Sequence, residues 1–162
     1  MTSTRPAVSH SLAVSIVGAL DALTADLDPD IALLLDQYWP GPLTVALQGP
    51  LNLPREVVAG DGTIGVRLPN HRLAIELIER SGGAVACTSA NLSGGPLART
   101  VQDALDAFGS GVDGVVKGGV APGGVPSTVI GFNADGIVLL REGAIPIEPL
   151  RAAWAELRGG RR

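Results

Sequence analysis

One cysteine, two histidines and a single lysine are all that the 162 residues hold of those types. A lone cysteine, Cys87, excludes an internal disulfide framework and suits a reducing compartment, here expected to be the cytoplasm. It sits in the apolar run Ala84-Val85-Ala86-Cys87, where inert packing is a better expectation than a catalytic thiol. His10 and His71 stand in no metal-ligand spacing, so no resident metal site is expected. A Gly-x-Ser-x-Gly elbow is missing, as are a Walker A loop and a dinucleotide-binding glycine fingerprint. Long apolar runs are missing too. Leu12 to Leu20 is broken by Ser15 and Gly18, so no membrane span is expected, and the polar stretch Met1 to His10 does not read as a secretory signal.

What is present describes a folded chain. The composition is 46% hydrophobic with a mean hydropathy of +0.32, enough to bury a core without metal or disulfides, and one domain over 1–162 is expected. Net charge is −4, and the eleven arginines are dispersed apart from Arg158, Arg161 and Arg162. That distribution gives no basic stripe for generic nucleic-acid binding, although it does not exclude one local basic cleft.

The pattern alternates strands and helices. Strands are expected at Leu12–Val17, Leu43–Gln48, Thr63–Leu68, Ala84–Thr88, Val112–Lys117, Ser127–Asn133 and Ile137–Arg141, the last two joined as a hairpin through Asn133-Ala134-Asp135-Gly136. Helices are expected at Gly18–Leu27, from Pro29 to Tyr38 with Asp28 as cap, at His71–Arg80, at Val101–Phe108 capped by Thr100, and at Pro149–Leu157. The fold class is therefore α/β (α+β), a twisted mixed β-sheet flanked by helices.

Four segments carry the chemistry. The first, Thr88-Ser89-Ala90-Asn91-Leu92-Ser93-Gly94-Gly95-Pro96, follows an apolar strand with compact hydrogen-bonding groups and glycines that admit a ligand close to the backbone. A purely geometric turn would use the same residues. The second, Tyr38-Trp39-Pro40-Gly41-Pro42-Leu43-Thr44, is a rigid elbow. Trp39 suits the core better than ligand stacking, and the Thr44 hydroxyl suits either a backbone partner or substrate. The third places Arg67 at a strand end ahead of Pro69 and His71, where a guanidinium offers a planar fork to phosphate or carboxylate, or a salt bridge on a solvated rim. His71 suits a helix start facing water. The fourth, Gly118 to Pro126, is rich in glycine and leads into Ser127-Thr128. Such a backbone forms either a nest for phosphate oxygens or a plain connecting loop.

In this order the strings Trp-Pro-Gly-Pro-Leu-Thr and Ser-Ala-Asn-Leu-Ser-Gly, with Gly65-Val66-Arg67-Leu68-Pro69-Asn70-His71 between them, resemble the YrdC-like family, the threonylcarbamoyl-AMP synthases. The resemblance runs from about Arg5 to Pro146, leaving 147–162 as a C-terminal helix and Arg/Gly tail. It implies the same sheet-and-helix architecture and a reaction of ATP, L-threonine and bicarbonate giving threonylcarbamoyl-AMP and pyrophosphate, for tRNA threonylcarbamoyladenosine formation. Magnesium is expected to arrive with the nucleotide, held mostly by phosphates and water. By resemblance, Arg67, Ser89, Asn91, Ser127 and Arg141 become nucleotide- or substrate-binding positions, and Arg5 a catalytic one.

The chain departs from the family pattern near its start. Arg5-Pro6 matches the end of a Lys-x-Arg-Pro motif whose lysine position is Ser3, and the Pro-Thr-(Asp/Glu)-Thr-x-Tyr-Gly-Leu segment, with its strand and helix, has no counterpart. The only lysine, Lys117, is distant in sequence. Charge stabilisation by one such group is worth about 3–4 kcal/mol, so weak or absent turnover is expected, as is self-association through an exposed sheet edge. Two other readings follow from the resemblance. One is a module that binds nucleotide or double-stranded RNA without turnover; the other is a carbamoyl-transfer relative, disfavoured because accessory domains and zinc motifs are absent.

Overall fold

The computed structural model describes residues 11–14 (as backbone), 20, 23–24, 27–49, 53–54, 56–92, 95–121 and 125–160. Arg5, Ser93, Gly94 and most of the expected helix over 18–27 lie outside them. Two compact units are present, residues 1–87 with 126–162 and residues 88–125.

The first unit is built on a six-stranded mixed sheet. In chain order the strands are β1 (Ser11–Val14), β2 (Leu43–Gln48), β3 (Thr63–Arg67), β4 (Ala84–Cys87), β5 (Thr128–Asn133) and β6 (Gly136–Arg141), and their spatial order is β4-β1-β3-β2-β5-β6. β1 runs parallel to β3, and β2 parallel to β5; the other neighbouring pairs are antiparallel. Three helices are described in this unit: α1 (Pro29–Tyr38), α2 (Arg72–Arg80) and α4 (Ile147–Gly159). α4 begins two residues earlier than its sequence pattern suggests.

Helix α1 starts and stops for local reasons. The Asp28 carboxylate accepts from the Asp30 N–H at 2.9 Å and Pro29 takes the first turn, where its missing N–H is no loss. It ends at the elbow. Trp39 is buried, its ring N–H donates to the Leu43 carbonyl at 2.8 Å, and the Trp39–Pro40 bond is cis. Gly41 is required there, because a Cβ would lie 2.4 Å from the Tyr38 carbonyl oxygen. The Gly41 N–H bonds Leu68 and the Pro42 carbonyl accepts from Thr128, so the elbow joins β3 to β5 across the start of β2.

One sheet face is the core. Leu43, Val45 and Leu47 of β2, Ile64 and Val66 of β3, and Ile130 of β5 pack with Ile31, Leu34 and Leu35 of α1 and with Leu150 and Trp154 of α4. Side chains alternate along a strand, so Thr44, Ala46, Gly65, Arg67, Val129 and Gly131 belong to the opposite face. The chain thus gives one face to bulky aliphatics and the other to small and polar groups.

The second unit carries α3 (Val101–Phe108), opened by a capping box. The Thr100 hydroxyl accepts from the Asp103 N–H, and the Asp103 carboxylate accepts from the N–H groups of Thr100 and Arg99. The strand expected over Val112–Lys117 is not formed. Those residues are coil, with Val112, Val115 and Val116 exposed, because no described strand of this unit lies beside them to complete a ladder.

Candidate functional site: a donor-rich end of the sheet

The polar face ends in a cluster of hydrogen-bond donors. Thr44 is the second residue of β2, Ser127 immediately precedes β5, Arg67 closes β3 and Arg141 closes β6. Strand directions bring all four to the same end of the sheet. Ser127 and Thr44 are 8% and 4% exposed, and their hydroxyl oxygens lie 2.8 Å apart. Arg141 donates to the Ser127 carbonyl through Nη2 at 2.9 Å and Nε at 3.3 Å, and to the Ser127 hydroxyl oxygen through Nη2 at 3.0 Å. Arg67 donates through Nε to the Gly41 carbonyl at 3.1 Å.

A β-bulge aims Arg141. Along β5 and β6, Ile130 faces Leu139, but Val129 faces Arg141, so Leu140 is an extra residue on β6. In an unbulged ladder of the same residues Arg141 would pair with Thr128 and share the core face with Ile130. The bulge moves it to the polar face, where Leu140 lies over Gly131.

Gly143 fixes the other side. A Cβ at Gly143 would fall 2.3 Å from both the Ser127 carbonyl carbon and the Thr128 nitrogen. Beyond it, Ala144 N–H donates to Pro126, and Ile145 exchanges two hydrogen bonds with the Thr128 hydroxyl. Neither Gly143 nor the bulge is marked in the sequence, because each depends on segments more than ten residues apart meeting closely.

The electrostatics favour an anion. Neither Arg67 nor Arg141 forms an ion pair with a carboxylate among the described residues. Burial, followed by the like charge of Arg141, pulls the Arg67 guanidinium below its ordinary range, partly opposed by Cys87. Cys87 itself is half-buried rather than packed in the core, since β4 is an edge strand. The hydroxyls add one more donor. They share one hydrogen bond and Ser127 already accepts from Arg141, so one of their two hydrogens has no described acceptor. A phosphate or carboxylate oxygen would answer both the charge and the spare donor.

In the second unit, the loop after β4 is held by its own backbone and by Asn91. The Asn91 Nδ2 donates to the carbonyls of Leu92 and Gly95, and its buried Oδ1 has no hydrogen-bond partner among the described residues. Ser89 is exposed, with its carbonyl accepting from the Asn91 N–H. Gly119 has φ +87°, and residues 122–124 of the glycine-rich loop lie outside the described set. His71 caps α2, its Nδ1 accepting from Ala74 N–H at 3.4 Å, as a helix-start residue should. No group of three or more His, Cys, Asp or Glu converges on a metal position among the described residues.

Residues 4–143 match the model of the Sua5/YciO/YrdC family, described as telomere recombination. The chain belongs to the Sua5/YciO/YrdC family. Curated relatives agree: it is 34% identical over 139 residues to the threonylcarbamoyl-AMP synthase of Pyrococcus abyssi, covering 86% of this chain and 41% of that protein. To the Bacillus subtilis threonylcarbamoyl-AMP synthase it is 36% identical over 151 residues, covering 93% and 43%. Among solved structures, P. abyssi Sua5 complexed with L-threonine superposes with a TM-score of 0.82 at 33% identity, covering 92% of this chain and 44% of that one. This Sua5/YciO/YrdC chain thus spans less than half the length of each of these three relatives.

Proposed function

We propose that this chain is a threonylcarbamoyl-AMP synthase domain, joining ATP, L-threonine and bicarbonate into threonylcarbamoyl-AMP with release of pyrophosphate, for tRNA threonylcarbamoyladenosine formation. The observation that carries the reading is the donor-rich end of the sheet, where Arg67, Arg141 and Ser127 converge with more donors than acceptors. The names of the relatives supply the substrates. In this reading Arg67 and Arg141 take nucleotide phosphate or threonine carboxylate oxygens, and Ser127 donates the remaining hydrogen bond. Ser89 and Asn91 are assigned to nucleotide binding and Arg5 to catalysis by the family motif. Both units are taken as parts of one domain over 1–162, acting in the cytoplasm.

Magnesium enters with the nucleotide, because no described carboxylate cluster would hold it otherwise. It would offset polyphosphate charge; the chain's own arginines bind and orient the oxygens. Self-association is assigned to β4 and β6, the outer strands of the described sheet. Direct binding of double-stranded RNA has the weaker support, given the net charge of −4.

The test is pyrophosphate release from ATP by the purified chain. The proposal expects release that requires both L-threonine and bicarbonate, slowed by Ser3 standing at the lysine position of the motif. ATP binding with no threonine-dependent release would make the chain a nucleotide-binding module instead.

A further inference from the structure

Thr44 occupies a place that packing alone does not explain. It lies between Leu43 and Val45, both core residues, yet its side chain is on the polar face and 4% exposed. Its hydroxyl meets that of Ser127, 83 positions away in the chain, at 2.8 Å. The two strands do not need this bond to find their register. Thr128 N–H already donates to Pro42, and β2 pairs with β5 through Leu43, Thr44 and Val45. What the backbone leaves undetermined is the rotamer of the Ser127 side chain, which has three staggered choices.

We propose that Thr44 is a positioning residue that selects the Ser127 rotamer and through it holds the Arg141 guanidinium toward an anionic ligand. Arg141 is exposed, and a free arginine side chain is rich in rotamers. Among the described residues its hydrogen bonds go to Ser127 alone, two to the carbonyl and one to the hydroxyl. The carbonyl bonds fix the guanidinium roughly; the hydroxyl bond fixes its plane. Thr44 controls that third bond. When Thr44 donates to Ser127, the serine oxygen accepts from both Thr44 and Arg141, and its own hydrogen is free to meet a ligand oxygen. Thr44 thereby sets both donors without touching the ligand.

The naming of ATP as the ligand rests on the function proposed above; the positioning role does not. The experiment therefore reads both. ATP affinity is measured by calorimetry, and hydrogen exchange at the Arg141 Nε–H by NMR, in the ligand-free chain and its variants. Thr44→Val keeps the shape and removes the hydroxyl. It is expected to speed Arg141 Nε–H exchange several-fold and to weaken ATP binding about tenfold, near the worth of one charge-assisted hydrogen bond. Thr44→Ser restores the hydroxyl and is expected to recover both. In a Ser127→Ala background, Thr44→Val should change neither further. A folded Thr44→Val with unchanged exchange and unchanged affinity overturns the proposal. Absence of ATP binding by the parent chain overturns the nucleotide reading instead, and the exchange measurement then decides Thr44 alone. Should Thr44→Val fail to fold, Thr44→Ala against Thr44→Ser gives the same comparison.

Discussion

Arg141 sits opposite Val129 although its near neighbour Leu139 sits opposite Ile130. The bulge at Leu140 puts the guanidinium on the face of Val129, whereas an unbroken ladder of the same residues would set it opposite Thr128 on the core face. A side-chain period of two makes any one-residue change of register a change of face. Deleting Leu140 closes the bulge but leaves Arg141 directly after Leu139 and still opposite Val129, so it is expected to keep the guanidinium on the polar face and most of the ATP affinity. Leu140→Ala keeps the bulge and should retain most binding. Calorimetric titration of the two variants checks this, and a loss of about tenfold in the deletion alone would show that the bulge matters beyond the face it selects.

Gly143 is expected to tolerate nothing larger. A methyl group there meets backbone rather than a flexible side chain, so Pro126–Thr128 must move. Gly143→Ala should displace Ser127, weaken ATP binding by an order of magnitude and cost about 1–3 kcal/mol of stability, the usual range for overpacking. Thermal melts and ATP titration on the same preparation check both. Full affinity in Gly143→Ala would show that Ser127 is not held by this approach.

Arg158 joins the two ends of the α1–α4 pair. Its Nη2 lies 2.6 Å from an Asp28 oxygen and its Nε 3.3 Å from Asp30, while its guanidinium stacks 4.7 Å from the centre of the Trp154 ring. Asp30 is 1% exposed, so removing Arg158 takes a charged contact away from a buried carboxylate. Arg158→Met is expected to lower stability by about 1–3 kcal/mol, with Arg158→Lys intermediate because a lysine cannot make the forked contact. Denaturant unfolding monitored by Trp fluorescence reads the change.

The capping box of α3 gives an acid response. Hydrogen bonds from Arg99 N–H and the Thr100 group hold the Asp103 carboxyl below the usual carboxylate range. A depressed folded-state value means that its stabilisation is present above the unfolded value, near 4, and is lost as pH falls through the lower folded value. Protection of the first-turn amides of α3, measured relative to their intrinsic exchange at each pH, should therefore fall on acidification below about pH 4, and Asp103→Asn should show low protection with a flattened pH response.

Much of the first unit was legible because its signals are local. Asp28-Pro29 marks a helix start, Pro40-Gly41-Pro42 a stop, and Asn133 to Gly136 a hairpin, each by the chemistry of one or two residues. Arg67, Ser127 and Arg141 were legible as candidates from the family motifs, and the structure gathers them at one end of the sheet. Val112–Lys117 failed as a strand since apolar spacing marks a strand only when a neighbour exists to pair with it. The bulge at Leu140, the approach of Gly143 and the partner of Thr44 were not legible, because all three are meetings of segments distant in sequence. For Thr44 the sequence offered a backbone group or substrate as partner; the structure supplies the Ser127 hydroxyl.

The most direct test is a titration of ATP, with magnesium, into the chain, into Arg67→Gln and into Arg141→Gln. An anion-binding end of the sheet predicts saturable binding that weakens with added salt and falls at least about tenfold in each variant. Binding of equal strength in all three, or none in the parent chain, would contradict it.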